Sequence, residues 1–379
     1  MPGFFITNTE KVPELNNYDN TRCVKGELKY KQWTIKWNVL DKFFDDKVFY
    51  QDEDVILILD GVIFNKNEIL ENSDNLSWHD ALKKLFFESN TFFNDFRGVF
   101  SGAVFDKSKE CWTVFTDHIG NRLMLKYADG RYVAFGSQLN YFSDWMKLNS
   151  IERKLSEEWE NDFFSYGYML DKYSVISGVE RVFPGCFCEL DLKQKRFEEK
   201  NYFVIEKKVC ERSIDETIEG FDSVFEQAVM RNVNKCAEYG YKAVVDISGG
   251  LDSRMIAACL SKNCFGDICT GINYSQSDAK DQTIAKQVSS ALNIDTTFYK
   301  MDGGECLKDI DSLVFMNNGM NYFAGITGGK TVLENLDPTC YGIELWGILG
   351  DIYEGAMVSD GNIKKPDWNY PRFKTINKY

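Results

Sequence analysis

Two hydrophobic periods divide the chain. Over the first two hundred residues apolar positions come in short runs closed by turn signals. Val55 to Leu59 stops at Asp60-Gly61, and Val99 to Phe105 stops at the charged Asp106-Lys107-Ser108-Lys109. Trp112 to Phe115, Tyr132 to Phe135 and Cys186 to Leu190 look similar, which is the pattern of strands. Asp60-Gly61 reads as a hairpin turn. One helix is predicted from Trp78 to Phe87, where Ala81, Leu82, Leu85 and Phe86 fall on one face. Packed antiparallel sheets with a few helices fit this half.

Near residue 210 the period lengthens from 2 to 3.6. Ser213-x-x-Glu216 has the form of a capping box, and Ile218, Phe221, Val224, Phe225, Ala228 and Val229 then keep helical spacing. A boundary between units of 1–208 and 209–379 is expected here. Beyond it Ala243 to Ile247 is a buried-strand run, followed by a glycine turn, a helix from about Arg254 and a strand near Asp267 to Ile272. Ile284, Ala285, Val288, Ala291 and Leu292 mark the next helix, and Thr296 to Tyr299 the next strand. Such alternation predicts a parallel sheet with its ligands at the carboxyl ends of the strands.

Composition narrows the function. A chain of 379 residues has length for two or three compact units, and 44% apolar content suffices for their cores. Its net charge of −14 argues against nucleic acid and anionic membranes as partners. The start lacks a basic region followed by a long apolar stretch, so a cytoplasmic protein is expected. Eleven cysteines without paired spacing, and two isolated histidines, His79 and His118, suggest buried thiols and no structural metal.

The chemistry concentrates in Ser248-Gly249-Gly250-Leu251-Asp252-Ser253, where strand gives way to helix. Backbone N–H groups and the helix dipole at such a junction hold anions. Two glycines let the main chain approach phosphate oxygens, and two serine hydroxyls add donors. Asp252 would repel phosphate unless a Mg²⁺ lay between them. There is no lysine and no G-x4-G-K-[ST] spacing, so the loop is not of the Walker type. Arg254, just beyond, is placed either to reach a substrate anion or to form a surface salt bridge.

Ser248 to Ser253 resembles the pyrophosphate loop of the N-type ATP pyrophosphatases, and the chain as a whole resembles the asparagine synthase family. Asp60 to Asn65, Phe96 to Phe100 and Asp117 to Arg122 match in order and spacing the family's N-terminal glutaminase-like domain; Phe163 to Asp191 resembles the link into its synthetase domain. The resemblance implies an α+β N-terminal domain of the N-terminal-nucleophile (Ntn) hydrolase type, then an α/β PP-loop ATP pyrophosphatase domain of the adenine nucleotide alpha hydrolase-like kind. It also implies ATP and Mg²⁺ as cofactors, with Ser248, Gly249, Gly250, Leu251, Asp252, Ser253, Gly347 and Gly350 around the nucleotide. Asp252 and Asp351 would be the catalytic, metal-holding pair.

Departures from the family refine that expectation. The family's glutaminase uses a cysteine at position 2, where this chain has Pro2, and its oxyanion asparagine falls at Asp60. A carboxylate there would oppose a developing oxyanion. Leu349 stands where a glycine is usual and Ile352 where an acidic residue is frequent. Glu354 is a further acidic neighbour of Asp351, and no spacing selects among Lys364, Lys365, Lys374 and Lys378. The sequence therefore predicts an ATP-dependent amide-forming ligase. It would adenylate a small-molecule or peptide carboxylate for an amine whose source is not glutamine, akin to relatives that close lactam rings. The rival readings are a nucleotide- or partner-binding pseudoenzyme and a synthetase using free ammonia. A homo-oligomer or a partner protein is compatible with either.

Overall fold

The computed structural model describes residues 2–16, 22–74, 76–193, 195–206, 211–263, 268–307, 310–320, 330, 332 and 334–347. The chain folds into two compact units, Met1–Gly220 with Gly303–Asn335, and Phe221–Asp302 with the described residues from Leu336 onward.

The first unit is built on strands β1 (Gly3–Thr7), β2 (Cys23–Tyr30), β3 (Trp33–Leu40), β4 (Val48–Gln51), β5 (Val55–Ile63), β6 (Gly98–Asp106), β7 (Cys111–Thr116), β8 (Leu125–Ala128), β9 (Val133–Gly136), β10 (Glu180–Arg181), β11 (Cys186–Asp191) and β12 (Arg196–Asn201). They form two six-stranded sheets, ordered β10-β8-β9-β1-β3-β2 and β12-β11-β7-β6-β5-β4, with antiparallel pairing throughout. Between them lies a shared core in which Phe4, Trp33, Ile35 and Phe135 meet Ile56, Ile58, Phe105 and Trp112.

The outer faces are buried too. Val55, Leu57 and Leu59 pack with Ile69 of helix α1 (Lys66–Glu71) and with Ala81, Leu82 and Phe86 of α2 (Trp78–Glu88). On the other sheet, Phe5 and Leu125 pack with Tyr141, Phe142 and Trp145 of α3 (Leu139–Leu148). The unit is thus a helix–sheet–sheet–helix stack. Covering both faces of β5 explains its unbroken apolar run: alternate residues serve different cores, so neither register position is polar.

Asp60-Gly61 is not a hairpin turn. β5 continues through it, with Asp60 opposite Ser101 and Gly61 opposite Phe100 on β6. The strand runs on to Ile63, because the β5–β6 ladder still has partners and Asp60 has a counter-charge, described below. Residues 303–335 belong to this unit despite their late position in sequence. Trp159, on α4 (Glu157–Tyr166), donates from Nε1 to the Gly319 carbonyl at 2.9 Å, and the Leu139 N–H bonds Asn318 Oδ1 at 2.8 Å.

The long helix α5 (Ile214–Glu238) leads into the second unit. It opens on the expected box, with Ser213 N to Glu216 Oε2 at 2.9 Å and Glu216 N to Ser213 Oγ at 3.2 Å. Then come β13 (Lys242–Asp246), α6 (Leu251–Lys262), β14 (Cys269–Ser275), α7 (Lys280–Leu292), β15 (Thr296–Lys300) and, later, β16 (Tyr341–Leu345). These strands form a parallel sheet ordered β15-β14-β13-β16. The helix after the glycine turn begins at Leu251, not near Arg254, so Asp252 and Ser253 sit in its first turn.

Candidate nucleotide site and a second buried acidic centre

β13 is flanked on both sides, and its carboxyl end leads directly into Ser248-Gly249-Gly250. Helix α6 starts on Gly250, an extended residue that supplies no side-chain cap. The first N–H groups of the helix are therefore left without the partner that a Ser, Asp or Asn cap would give. The loop behind them is braced from within. Ser248 Oγ and Ser253 Oγ are 2.8 Å apart, Gly250 N–H donates to Ser248 Oγ at 3.1 Å, and Gly249 N–H donates to Asp281 Oδ1 at 2.6 Å. Asp281, in the first turn of α7, also accepts from Asn273 Nδ2 at 3.0 Å, and the same Asn273 amide donates to the Ile247 carbonyl at 2.8 Å. Buried Asn273 thus ties β14, the loop and α7 together.

Within this braced loop one polar side chain is unused. Asp252 makes no side-chain hydrogen bond or ion pair with the described residues, and it is half-buried. Arg254 forms no salt bridge with the described residues. Its guanidinium folds back on the loop's own carbonyls, Nε to Gly250 at 3.1 Å and Nη2 to Gly249 at 3.4 Å. Leu251 is exposed.

The second glycine segment meets the first. A side chain at Gly347, just after β16, would lie 2.4 Å from Ser253 N and 2.7 Å from the Asp252 carbonyl carbon. Only glycine allows that approach. The structure so brings Ser248, Gly249, Gly250, Leu251, Asp252, Ser253 and Gly347 together. Gly350 and Asp351, with Leu349, Ile352, Glu354 and the four C-terminal lysines, lie outside the described residues.

Sequence reasoning missed two acids beside this loop. Asp246, at the end of β13, and Glu344, on the neighbouring β16, hydrogen-bond each other, and the Tyr274 hydroxyl donates to Asp246 Oδ2 at 3.3 Å. Burial, together with the charge of Glu344, pushes the Asp246 carboxyl up to about 8, and burial also raises Glu344. One oxygen of each is buried and unpartnered. The sequence carries a signal for them: each is the single acid within an apolar strand run.

In the first unit, Asp60 is fully buried and forms an ion pair with Arg122 Nη2, while its Oδ1 and the neighbouring Ser101 Oγ have no hydrogen-bond partner. Its charge joins burial in pushing the Tyr141 phenol up. At the chain start the Pro2 carbonyl accepts from Gln138 Nε2 at 3.1 Å, and the Phe4 N–H bonds Ser137 Oγ.

Residues 45–203 match the family model of the glutamine amidotransferase domain, and residues 242–321 match that of the queuosine biosynthesis protein QueC. The chain is 22% identical over 231 residues to a protein of Methanocaldococcus jannaschii provisionally named asparagine synthetase [glutamine-hydrolyzing] 2. The chain is similar to asparagine synthase-like proteins. Its fold is an Ntn-type glutamine amidotransferase domain with antiparallel sheets, followed by a PP-loop ATP pyrophosphatase domain. The alignment takes in 57% of this chain and spans 43% of the archaeal relative's length. Among solved structures, the glutamine phosphoribosylpyrophosphate amidotransferase of B. subtilis is 10% identical with a TM-score of 0.33, covering 78% of this chain and 59% of that one. The glutamine-dependent NAD+ synthetase of Acinetobacter baumannii is 11% identical with a TM-score of 0.27, covering 45% and 31%. Among the described residues no helix is long and apolar enough to cross a membrane.

Proposed function

We propose that this chain is an ATP- and Mg²⁺-dependent carbon–nitrogen ligase that activates a small-molecule or peptide carboxylate as its adenylate and passes the acyl group to an amine not drawn from glutamine. The observation that carries this reading is the uncapped N-terminus of α6 with the free Asp252 carboxylate beside it and Gly347 packed against both. Open N–H groups suit phosphate oxygens, and a lone carboxylate in the same turn suits the cation that accompanies them. Asp252 would hold the metal with Asp351, the residue that resemblance assigns as its companion. The ion, when bound, supplies positive charge against the leaving pyrophosphate.

In that reaction a substrate carboxylate oxygen bonds to the α-phosphorus as the bond to pyrophosphate breaks. The amine then forms the amide, loses a proton and releases AMP. The chain contributes position and charge and no covalent nucleophile. Asn273 and Asp281 keep the loop in shape, and Arg254 bonds its carbonyl side.

The glutamine-independent half of the proposal is supported by Asp60. An oxyanion forming beside a buried carboxylate meets repulsion where the family supplies an amide donor, and Arg122 is already engaged with that carboxylate. The test is exchange of labelled pyrophosphate into ATP across a panel of carboxylic and amino acids. Exchange lost in Asp252→Ala supports adenylation, and no exchange with any acid overturns it. Glutamate release from glutamine by the purified chain would overturn the choice of amine alone.

A further inference from the structure

The first unit carries a cleft at the open edge of its sandwich. β2 ends one sheet and β4 ends the other. Between them lies a cleft of about 530 Å³, bounded by Lys25 and Trp37 of the first sheet, by the segment from Phe44 to Tyr50, and by Lys66, Trp78 and His79 at the starts of α1 and α2. That volume lies within the range of small-molecule sites. Pro2, Asp60 and Arg122 are not part of it.

Its aromatic wall depends on a particular glycine. Gly26 stands opposite Trp37 in the β2–β3 ladder, and a Cβ on Gly26 would lie 2.0 Å from the Trp37 ring. The indole occupies that space, so it lies across the edge strand and stacks on Phe49 of the other sheet, centroids 4.6 Å apart and planes 8° apart. Beside it Tyr50 stacks on His79 at 4.3 Å. Aromatic side chains of both sheets, Trp37, Phe49 and Tyr50, so line the cleft and offer apolar contact to a ring.

The charge of the lining runs against that of the chain. Among the residues that line it, Lys25, Lys47 and Lys66 outnumber the one acid, Asp45, in a protein of net charge −14. Lys66 is already paired with buried Asp46 at 3.5 Å. Lys25 has no partner among the described residues, and the Lys47 ammonium bonds only the carbonyls of Lys42 and Phe43. Burial pushes Lys47 down to about 8, against the pull of Asp60, Asp46 and Asp41 and with the push of Arg122. A half-buried ammonium without a bonded carboxylate is relieved by an incoming anion.

We propose that this cleft binds a small aromatic carboxylate, its ring against the Trp37–Phe49 wall and its carboxylate between Lys25 and Lys47. Calorimetric titration of the full-length chain with 2-naphthoate tests it, with 2-naphthylmethanol and inorganic phosphate as the neutral and ring-free comparisons. Naphthoate should bind at least tenfold more tightly than the alcohol, phosphate should fail to displace it, and Lys25→Glu should weaken it at least tenfold. Lys25 is exposed, so that variant folds. Gly26→Val, checked for folding by circular dichroism, should weaken binding by displacing Trp37. Equal binding of the alcohol, displacement by phosphate, or an unchanged affinity in folded Lys25→Glu would each overturn the proposal.

Discussion

Asp60 and Asp252 each stand beside a glycine or within a glycine loop at a position to which the resemblance assigns chemistry, and they are treated in opposite ways. Asp60 is sealed between two sheets and ion-paired with Arg122; Asp252 is half-open in the first turn of a helix and bonded to nothing described. A carboxylate that spends its charge on a neighbour holds structure together. One left unspent at the mouth of a cradle is open to a metal and its phosphates. The same side chain therefore marks a filled centre in one unit and an open one in the other.

The comparison breaks if the two residues respond alike to removal. Asp252→Ala should lower pyrophosphate exchange by about 10²–10³-fold with little change in folding midpoint, the scale of losing a main electrostatic contributor. Asp60→Ala should do the reverse. It leaves Arg122 without its counter-charge and should cost about 3 kcal/mol in denaturant unfolding, the lower end for a broken buried pair because Arg122 is partly exposed. Joint replacement by Asp60→Leu and Arg122→Met should recover much of that loss. A large loss of exchange in the first unit's variant, or of stability in the second's, would erase the distinction.

Two smaller effects sharpen it. Gly347→Ala places a methyl 2.4 Å from Ser253 N, so the start of α6 has to shift, and nucleotide affinity should fall about tenfold (about 1.4 kcal/mol) by equilibrium binding. The Asp246–Glu344 pair should appear as a pH slope. Asp246 ionises near 4 in the unfolded chain and near 8 in the fold, so the folded state holds the extra proton. Its contribution to stability is full below about 4, declines as pH rises through that window and is lost above about 8. Asp246→Asn should flatten the slope in urea midpoints measured from pH 5 to 9; an unchanged slope would mean that the pair carries no shared proton.

Much of this architecture was legible because each unit has one dominant period. The run Ala243 to Ile247, the turn after it and the helical face of Ile284, Ala285 and Val288 mark the second unit, and Ser213 with Glu216 marks the helix that leads into it. Asp60-Gly61 misled because its dipeptide chemistry is that of a turn, while the ladder to β6 and the distant Arg122 decide otherwise. Residues 303–335 gave no warning that they would bond to α3 and α4, since such bonds join positions 160 and 179 residues apart and leave no local trace. In the nucleotide loop the residue types were readable and the bracing was not: Asn273 and Asp281 act through a tertiary meeting of β14 and α7.

On the proposed function, that bracing would set an order of events. The Gly249 N–H is already held by Asp281, so a polyphosphate arriving bare would confront a standing negative charge at the threshold. Arriving already complexed with its divalent ion, it brings the means to be tolerated there. On the proposed function, the cradle would favour the metal–nucleotide complex over the bare nucleotide.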